Sequence, residues 1–247
     1  MNKKTTPLTI QLGETDSTSN YLSKISNDWK PAEFTVVSAH YQTAGKGQRG
    51  NSWESEKGEN LLFSMILYPT FLQVRNQFLL SKAIALSIKE VLDQSAEGFL
   101  IKWPNDIYWK EQKICGILIE NELTGSTLEK CIIGVGININ QKEFQQAPNP
   151  VSLWQITGKE HQIQKILDAV IEKFHYYYDL LKQGEHQQIN QLYHRSLYRK
   201  EGFHRYKDSQ GEFSARIVEV EENGLLVLED AQGGIRKKAF KEVSFLS

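Results

Sequence analysis

FLIKWPNDIYWKEQKICGILIENELTGSTLEKCIIGVGINI, residues 99–139, decides the fold class. It holds three β-rich runs, 99–103, 113–120 and 130–139, with no helical pattern between them. Such runs are expected to pair as an antiparallel meander, whereas a parallel sheet needs helical crossovers. Upstream, LTIQL at 8–12, FTVVSAHY at 34–41 and LLFSMILY at 61–68 read as further strands, the last stopped by Pro69. Asp16, Ser17 and Thr18 offer caps to a helix running to about Asn27. Apolar positions at Val74, Phe78, Ala85, Leu86, Ile88 and Leu92 predict an amphipathic helix over 72–93. Ile163, Ile166, Leu167, Val170, Ile171 and Phe174 predict another over 163–183, continued by aromatic residues 175–178 that read as packing. After about 198 the pattern turns to alternation between turns at Asn223-Gly224 and Gly233-Gly234, which predicts a small β-barrel. The expected class is α+β: a mixed, largely antiparallel sheet with flanking helices over 1–197, and the barrel over 198–247.

The composition narrows the function classes. Of 247 residues, 40% are hydrophobic and 24% charged, enough for one substantial core. A formal net charge of -1 supplies no field to gather nucleic acid or an anionic membrane, so neither is an expected partner. The N-terminal MNKKTTPLTI has two lysines but no apolar stretch behind them, and no run approaches the ~18 apolar residues of a spanning helix. Cys115 and Cys131 sit in apolar runs and are expected as reduced, buried thiols, which fits a cytoplasmic protein.

Four segments carry candidate chemistry. Gly45-Lys46-Gly47-Gln48-Arg49-Gly50 spells a dinucleotide fingerprint, yet no helix pattern follows and Thr70 stands where an acid is needed. What remains is a cationic, backbone-rich loop suited to wrapping an anion; the bland alternative is a mobile hairpin. In Lys102-Trp103-Pro104-Asn105-Asp106, proline fixes a turn that presents an amide and a carboxylate at a strand end; alone it reads equally as an Asn-Asp turn. Lys113 heads an apolar strand, where an ammonium must reach solvent or a negative partner, and Gly116 within that strand suggests close approach of a ligand or backbone. Glycines in Gly134-Val135-Gly136-Ile137-Asn138 suggest the same, against the alternative of a bulged strand.

Together and in this order, DSTSNYL (16–22), GKGQRGNSW (45–53), KWPND (102–106), KICGILIE (113–120) and GVGININ (134–140) resemble the biotin protein ligases. The resemblance spans nearly the whole chain and is closest to the form without an N-terminal DNA-binding domain. It implies a class II synthetase-like catalytic domain followed by an SH3-like barrel. It also implies formation of biotinyl-5′-AMP from biotin and ATP with Mg²⁺, releasing pyrophosphate. Biotin then passes to a lysine of a biotin carboxyl carrier protein or a carboxylase such as acetyl-CoA carboxylase.

By the same resemblance, Ser17, Thr18, Ser19 and Gln42 would hold the biotin ureido ring, with Gly45, Lys46, Gly47, Gln48 and Gly116 lining its pocket. Lys113 would bind the biotin carboxylate and the α-phosphate, with Lys46 and Arg49 as further catalytic cations. Trp53 would cover adenine and Asn138 contact its edge, while Lys102, Asn105 and Asp106 would lie near phosphates, ribose and Mg²⁺, Asp106 being the metal ligand. The loop departs from the family's usual two arginines: Lys46 keeps a charge without the planar fork, and Gln48 is neutral. Two rivals are a lipoate or octanoate ligase or transferase of the same fold and a biotin-sensing DNA-binding regulator. About seven residues before the first strand are too few for a helix-turn-helix. A sheet edge leaves a homodimer open.

Overall fold

The computed structural model describes residues 7–246, Arg49 by its backbone only. Seven strands form the main sheet: β1 (Thr9–Leu12), β2 (Val36–Ala39), β3 (Leu61–Leu67), β4 (Phe99–Lys102), β5 (Asp106–Trp109), β6 (Gln112–Thr124) and β7 (Thr127–Ile137). Their spatial order is β1-β2-β3-β7-β6-β5-β4. Only β1 and β2 run parallel, because helix α1 (Thr18–Asp28) joins them as a crossover. The remaining pairs are antiparallel, and β4 to β7 form the meander. It has one strand more than the sequence pattern predicts. β5 is four residues long, too short for its alternation to stand out between two turns.

Helix α2 (Phe78–Asp93) buries eleven of its residues between the sheet and two helices that come later in the chain, which is why its sequence is apolar nearly all round. It begins later than the predicted 72, because Val74–Asn76 forms a 3₁₀ turn and the Phe78 N–H donates to Glu222 O of the C-terminal unit at 3.1 Å. The start of this helix is thus set by tertiary contact. α3 (Leu153–Thr157) is a single turn closed by a Ser152/Gln155 capping box. α4 (Ile163–Lys182) packs on α2 and buries Leu167, Val170, Phe174, Tyr177 and Tyr178, while His175 and Tyr176 face outward, so only half of the aromatic run 175–178 is core. α5 (His186–Arg195) buries only Ile189 and Tyr193, too sparse a stripe to read in advance.

The C-terminal strands are β8 (His204–Asp208), β9 (Gly211–Val220), β10 (Leu226–Asp230), β11 (Ile235–Lys238) and β12 (Ser244–Phe245). They form a second antiparallel sheet, in the order β11-β10-β9-β8-β12. Its inward residues, among them Tyr206, Ala215, Ile217 and Leu228, belong to the same continuous apolar core as the main sheet. Cys115 and Cys131 are buried free thiols, each pushed up by burial. No helix among the described residues is long and apolar enough to cross a membrane.

Candidate functional site

The glycine loop folds back on itself: the Trp53 N–H donates to Gly45 O at 2.9 Å and the Gly47 N–H to Asn51 O at 2.7 Å. This hairpin lays the Trp53 indole on the sheet. A Cβ at Gly136 would stand 2.5 Å from Trp53 Cε2, and one at Gly116 would stand 2.9 Å from Cζ3. Any side chain at either position would drive the ring away, which is the physical reason for glycine inside these two strands. The indole Nε1 is buried with no hydrogen-bond partner.

Two cavities meet at Trp53. The smaller, of about 30 Å³, lies over β6 and β7 where the start of α1 crosses them; Ser17, Thr18, Ser19, Gln42, Lys46 and Gly116 line it. Its polar side is a hydroxyl ladder. Ser64 Oγ, fully buried on β3, lies 2.7 Å from Thr18 Oγ1 and 2.9 Å from Ser19 Oγ. Gln42 Oε1 accepts from the Thr18 N–H at 2.8 Å and from its hydroxyl at 3.0 Å. That leaves the Gln42 Nε2 donor for another partner, with serine and threonine hydroxyls beside it. A planar group carrying both N–H and C=O fits such an edge. Ser17 is the N-cap of α1 but its hydroxyl makes no capping bond. Ser64 escaped the sequence reading; the signal was one hydroxyl in the apolar run LLFSMIL.

The larger cavity, of about 430 Å³, is lined by Gly50–Glu54, Lys113, Asn138, Gln146–Pro148 and Pro150. Asn138 is buried, donates Nδ2–H to Val151 O at 3.1 Å and keeps Oδ1 without a partner. Lys113 and Gly116 stand three residues apart on one strand, which simple alternation puts on opposite faces. Opposite the consecutive β5 residues Ile107 and Tyr108, β6 presents Cys115 and Lys113 with Ile114 as an extra residue, and this bulge turns Lys113 and Gly116 to the same side. Lys113 Nζ lies 3.4 Å from where a Gly116 Cβ would stand and 5.7 Å from the Trp53 ring centre. It pairs with Asp106 at 2.7 Å. Burial pushes the Asp106 carboxyl up, and Lys113 offsets part of that.

Other residues singled out from the sequence point elsewhere. Lys102 sits in a cage of Tyr108, Tyr198 and Phe245, 4.3 Å, 5.6 Å and 5.4 Å from the ring centres. Burial lowers its pKa, against the pull of Asp106. Asn105 donates its side-chain amide to Ile117 O, locking the end of the turn to β6. Asn105 and Gln48 line a third cavity, of about 250 Å³, shared with Gly224, Leu225 and Phe240 of the C-terminal unit. Gln48 Oε1 is buried there without a partner. Lys46 Nζ donates to Asn20 on α1. The Arg49 side chain lies outside the described residues. Asp106 is a lone carboxylate already engaged by an ammonium, and no cluster of three or more His, Cys, Asp or Glu side chains suits a metal ion among the described residues.

The family model described as Biotin/lipoate A/B protein ligase family matches residues 12–138. The bifunctional ligase/repressor BirA of Bacillus spizizenii is 31% identical over 229 residues, covering 90% of this chain and 69% of that protein. A biotin–[acetyl-CoA-carboxylase] ligase of Paracoccus denitrificans is 29% identical over 171 residues, covering 66% of this chain and 70% of its own. Among solved structures, the biotin protein ligase of Aquifex aeolicus in complex with biotin and ATP superposes with a TM-score of 0.79. It is 27% identical, and the match covers 96% of this chain and 97% of that one.

Proposed function

Because this chain belongs to the biotin protein ligase family, we propose that it joins biotin to ATP as biotinyl-AMP and then to a lysine of a biotin carboxyl carrier protein or carboxylase. It is a ligase enzyme, with biotin and ATP as substrates. The observation that carries the finer reading is the position of Lys113 Nζ, beside Gly116 of the small cavity and within the lining of the large one. Biotin's ureido edge suits the ladder of Thr18, Ser19, Ser64 and Gln42, and the nucleoside end of ATP suits the larger cavity with Trp53 and Asn138. A carboxylate and an α-phosphate would then meet at Lys113.

In the first step the biotin carboxylate attacks the α-phosphorus and pyrophosphate leaves. Two anions must approach, so cations fixed in advance are worth more than cations recruited from solvent. Lys113 is held by Asp106, and in this scheme its ammonium passes from that carboxylate to the reacting oxygens. Lys46 and Arg49 of the loop add positive charge as the loop closes. Magnesium, which neutralises phosphate charge, would come with ATP, and Asp106 serves as the partner of Lys113. In the second step the neutral amine of an acceptor lysine attacks the mixed anhydride and AMP leaves. The anhydride must be kept from water, a role for the Trp53 hairpin. We assign both steps to residues 1–197 and a supporting role to 198–247.

The test is incubation with biotin, ATP and a biotin-carrier domain, read by the acceptor's mass. A biotinyl increment on one lysine is the expected result. Pyrophosphate exchange supported by lipoate or octanoate and not by biotin would overturn the assignment.

A further inference from the structure

Glu54 follows the loop tryptophan and belongs to none of the sequence patterns above. Its carboxylate gathers three successive backbone N–H groups from a segment some ninety residues on. Oε1 accepts from Gln145 at 2.6 Å, and Oε2 accepts from Gln146 at 2.8 Å and Ala147 at 2.7 Å. Bonds of this kind are charge-assisted and about twice as strong as neutral ones. Burial pushes the Glu54 carboxyl up, but the three donors outweigh it and hold it below the usual carboxylate range. A second tie, Glu56 N–H to Gln141 Oε1 at 3.0 Å, lies nearer the sheet. Glu54 therefore fastens the far part of the segment, where Gln146, Ala147 and Pro148 line the larger cavity together with Trp53 and Glu54 itself.

We propose that Glu54 is a positioning residue, a carboxylate latch that holds segment 145–148 against the glycine-loop hairpin and so fixes the wall of the nucleotide cavity. The proposal rests on the reading that the larger cavity takes the nucleoside end of ATP. Segment 145–148 shares no residue with the lining of the smaller cavity, so the wall that the latch holds belongs to the nucleotide side and its loss falls first on ATP. A wall fixed before binding spares the ligand the cost of ordering it.

Glu54→Gln keeps the shape and one acceptor oxygen but loses the charge, and Glu54→Ala removes the latch. Both are made in the full chain and read three ways: amide exchange at Gln145–Ala147, biotin Kd by calorimetry, and ATP KM and kcat in biotin-dependent pyrophosphate exchange. Exchange at those amides is expected to quicken at least tenfold in both variants. ATP KM is expected to rise about tenfold, which is ~1.4 kcal/mol, with kcat and biotin Kd within twofold of the parent. Unchanged amide exchange overturns the latch. Faster exchange with an unchanged ATP KM, or with biotin Kd weakened equally, overturns its role in placing the nucleotide. If the unaltered protein binds biotin but catalyses no biotin-dependent exchange, the ligase reading fails, and amide exchange still decides whether the latch exists.

Discussion

At the residue scale the proposed mechanism rests on Lys113, whose ammonium lies beside Gly116 and against Asp106 because β6 carries an extra residue, Ile114, opposite β5. Lys113→Ala is expected to cut biotin-dependent pyrophosphate exchange at least a hundredfold, leaving the circular dichroism spectrum unchanged. Near-normal exchange in that variant would refute the role. Ser64 makes a separate prediction. Removing its hydroxyl takes from Ser19 Oγ its buried partner and leaves Thr18 Oγ1 only Gln42, and an unmade buried hydrogen bond costs about 1–3 kcal/mol. Ser64→Ala is expected to weaken biotin binding by roughly tenfold while ATP KM stays put. Equal effects on both ligands would show that Ser64 serves the sheet and not the ureido edge.

At the scale of elements, the segment proposed to close the site is the hairpin 43–55. Its internal backbone bonds are Trp53 N–H to Gly45 O, Gly47 N–H to Asn51 O and Asn51 N–H to Gln48 O, and Glu54 ties its far end to 145–147, so its tip is the part free to open and close without disturbing the sheet. Proteolytic cleavage within 43–55 is expected to slow several-fold when biotin and ATP are both present; equal cleavage with and without them would contradict a closing role. Gln48, where the family commonly has arginine, lines the cavity shared with the C-terminal unit and keeps its buried carbonyl without a partner. A neutral amide there gives the adenylate no ionic grip. Gln48→Arg is therefore expected to slow release of biotinyl-AMP, measured by chase with unlabelled biotin, and an unchanged rate would dispose of the idea.

For the whole molecule, the C-terminal sheet is built into the same apolar core as the main sheet. Trp103 of the KWPND turn donates its indole N–H to Gly224 O at 2.9 Å. Lys82 on α2, 1% exposed, donates to Asn190 Oδ1 at 2.7 Å and Val220 O at 2.5 Å. Burial lowers the Lys82 pKa from 10.5 to about 8. The unfolded chain therefore binds more protons than the folded one between about pH 8 and 10.5. The stability cost of this lysine is full below pH 8 and fades as pH rises through that window. The change is on the order of 3 kcal/mol at 1.36 kcal/mol per pKa unit. Denaturant unfolding of the parent and of Lys82→Met should reveal it: the parent should gain on the variant from pH 8 to 10.5. A constant difference across that range would rule it out.

The sequence by itself determined the α+β class, most strands, the two long helices and the segments of the site, because alternation, helical spacing and the GKGQRGNSW and KWPND motifs are local properties. It did not show β5, α3 or α5, which are too short or too sparsely apolar to announce themselves. Nor did it show where the chemistry converges. Ser64 reaches Thr18 across 46 positions and Glu54 reaches Ala147 across 93. Hydrogen bonds over such separations exist only once the sheet has brought the strands into register. Likewise α2 starts where a carbonyl of the C-terminal unit meets its first N–H, and Lys113 faces Gly116 only because its own strand carries an extra residue opposite β5. Periodicity names which residues are candidates; packing alone decides which of them touch.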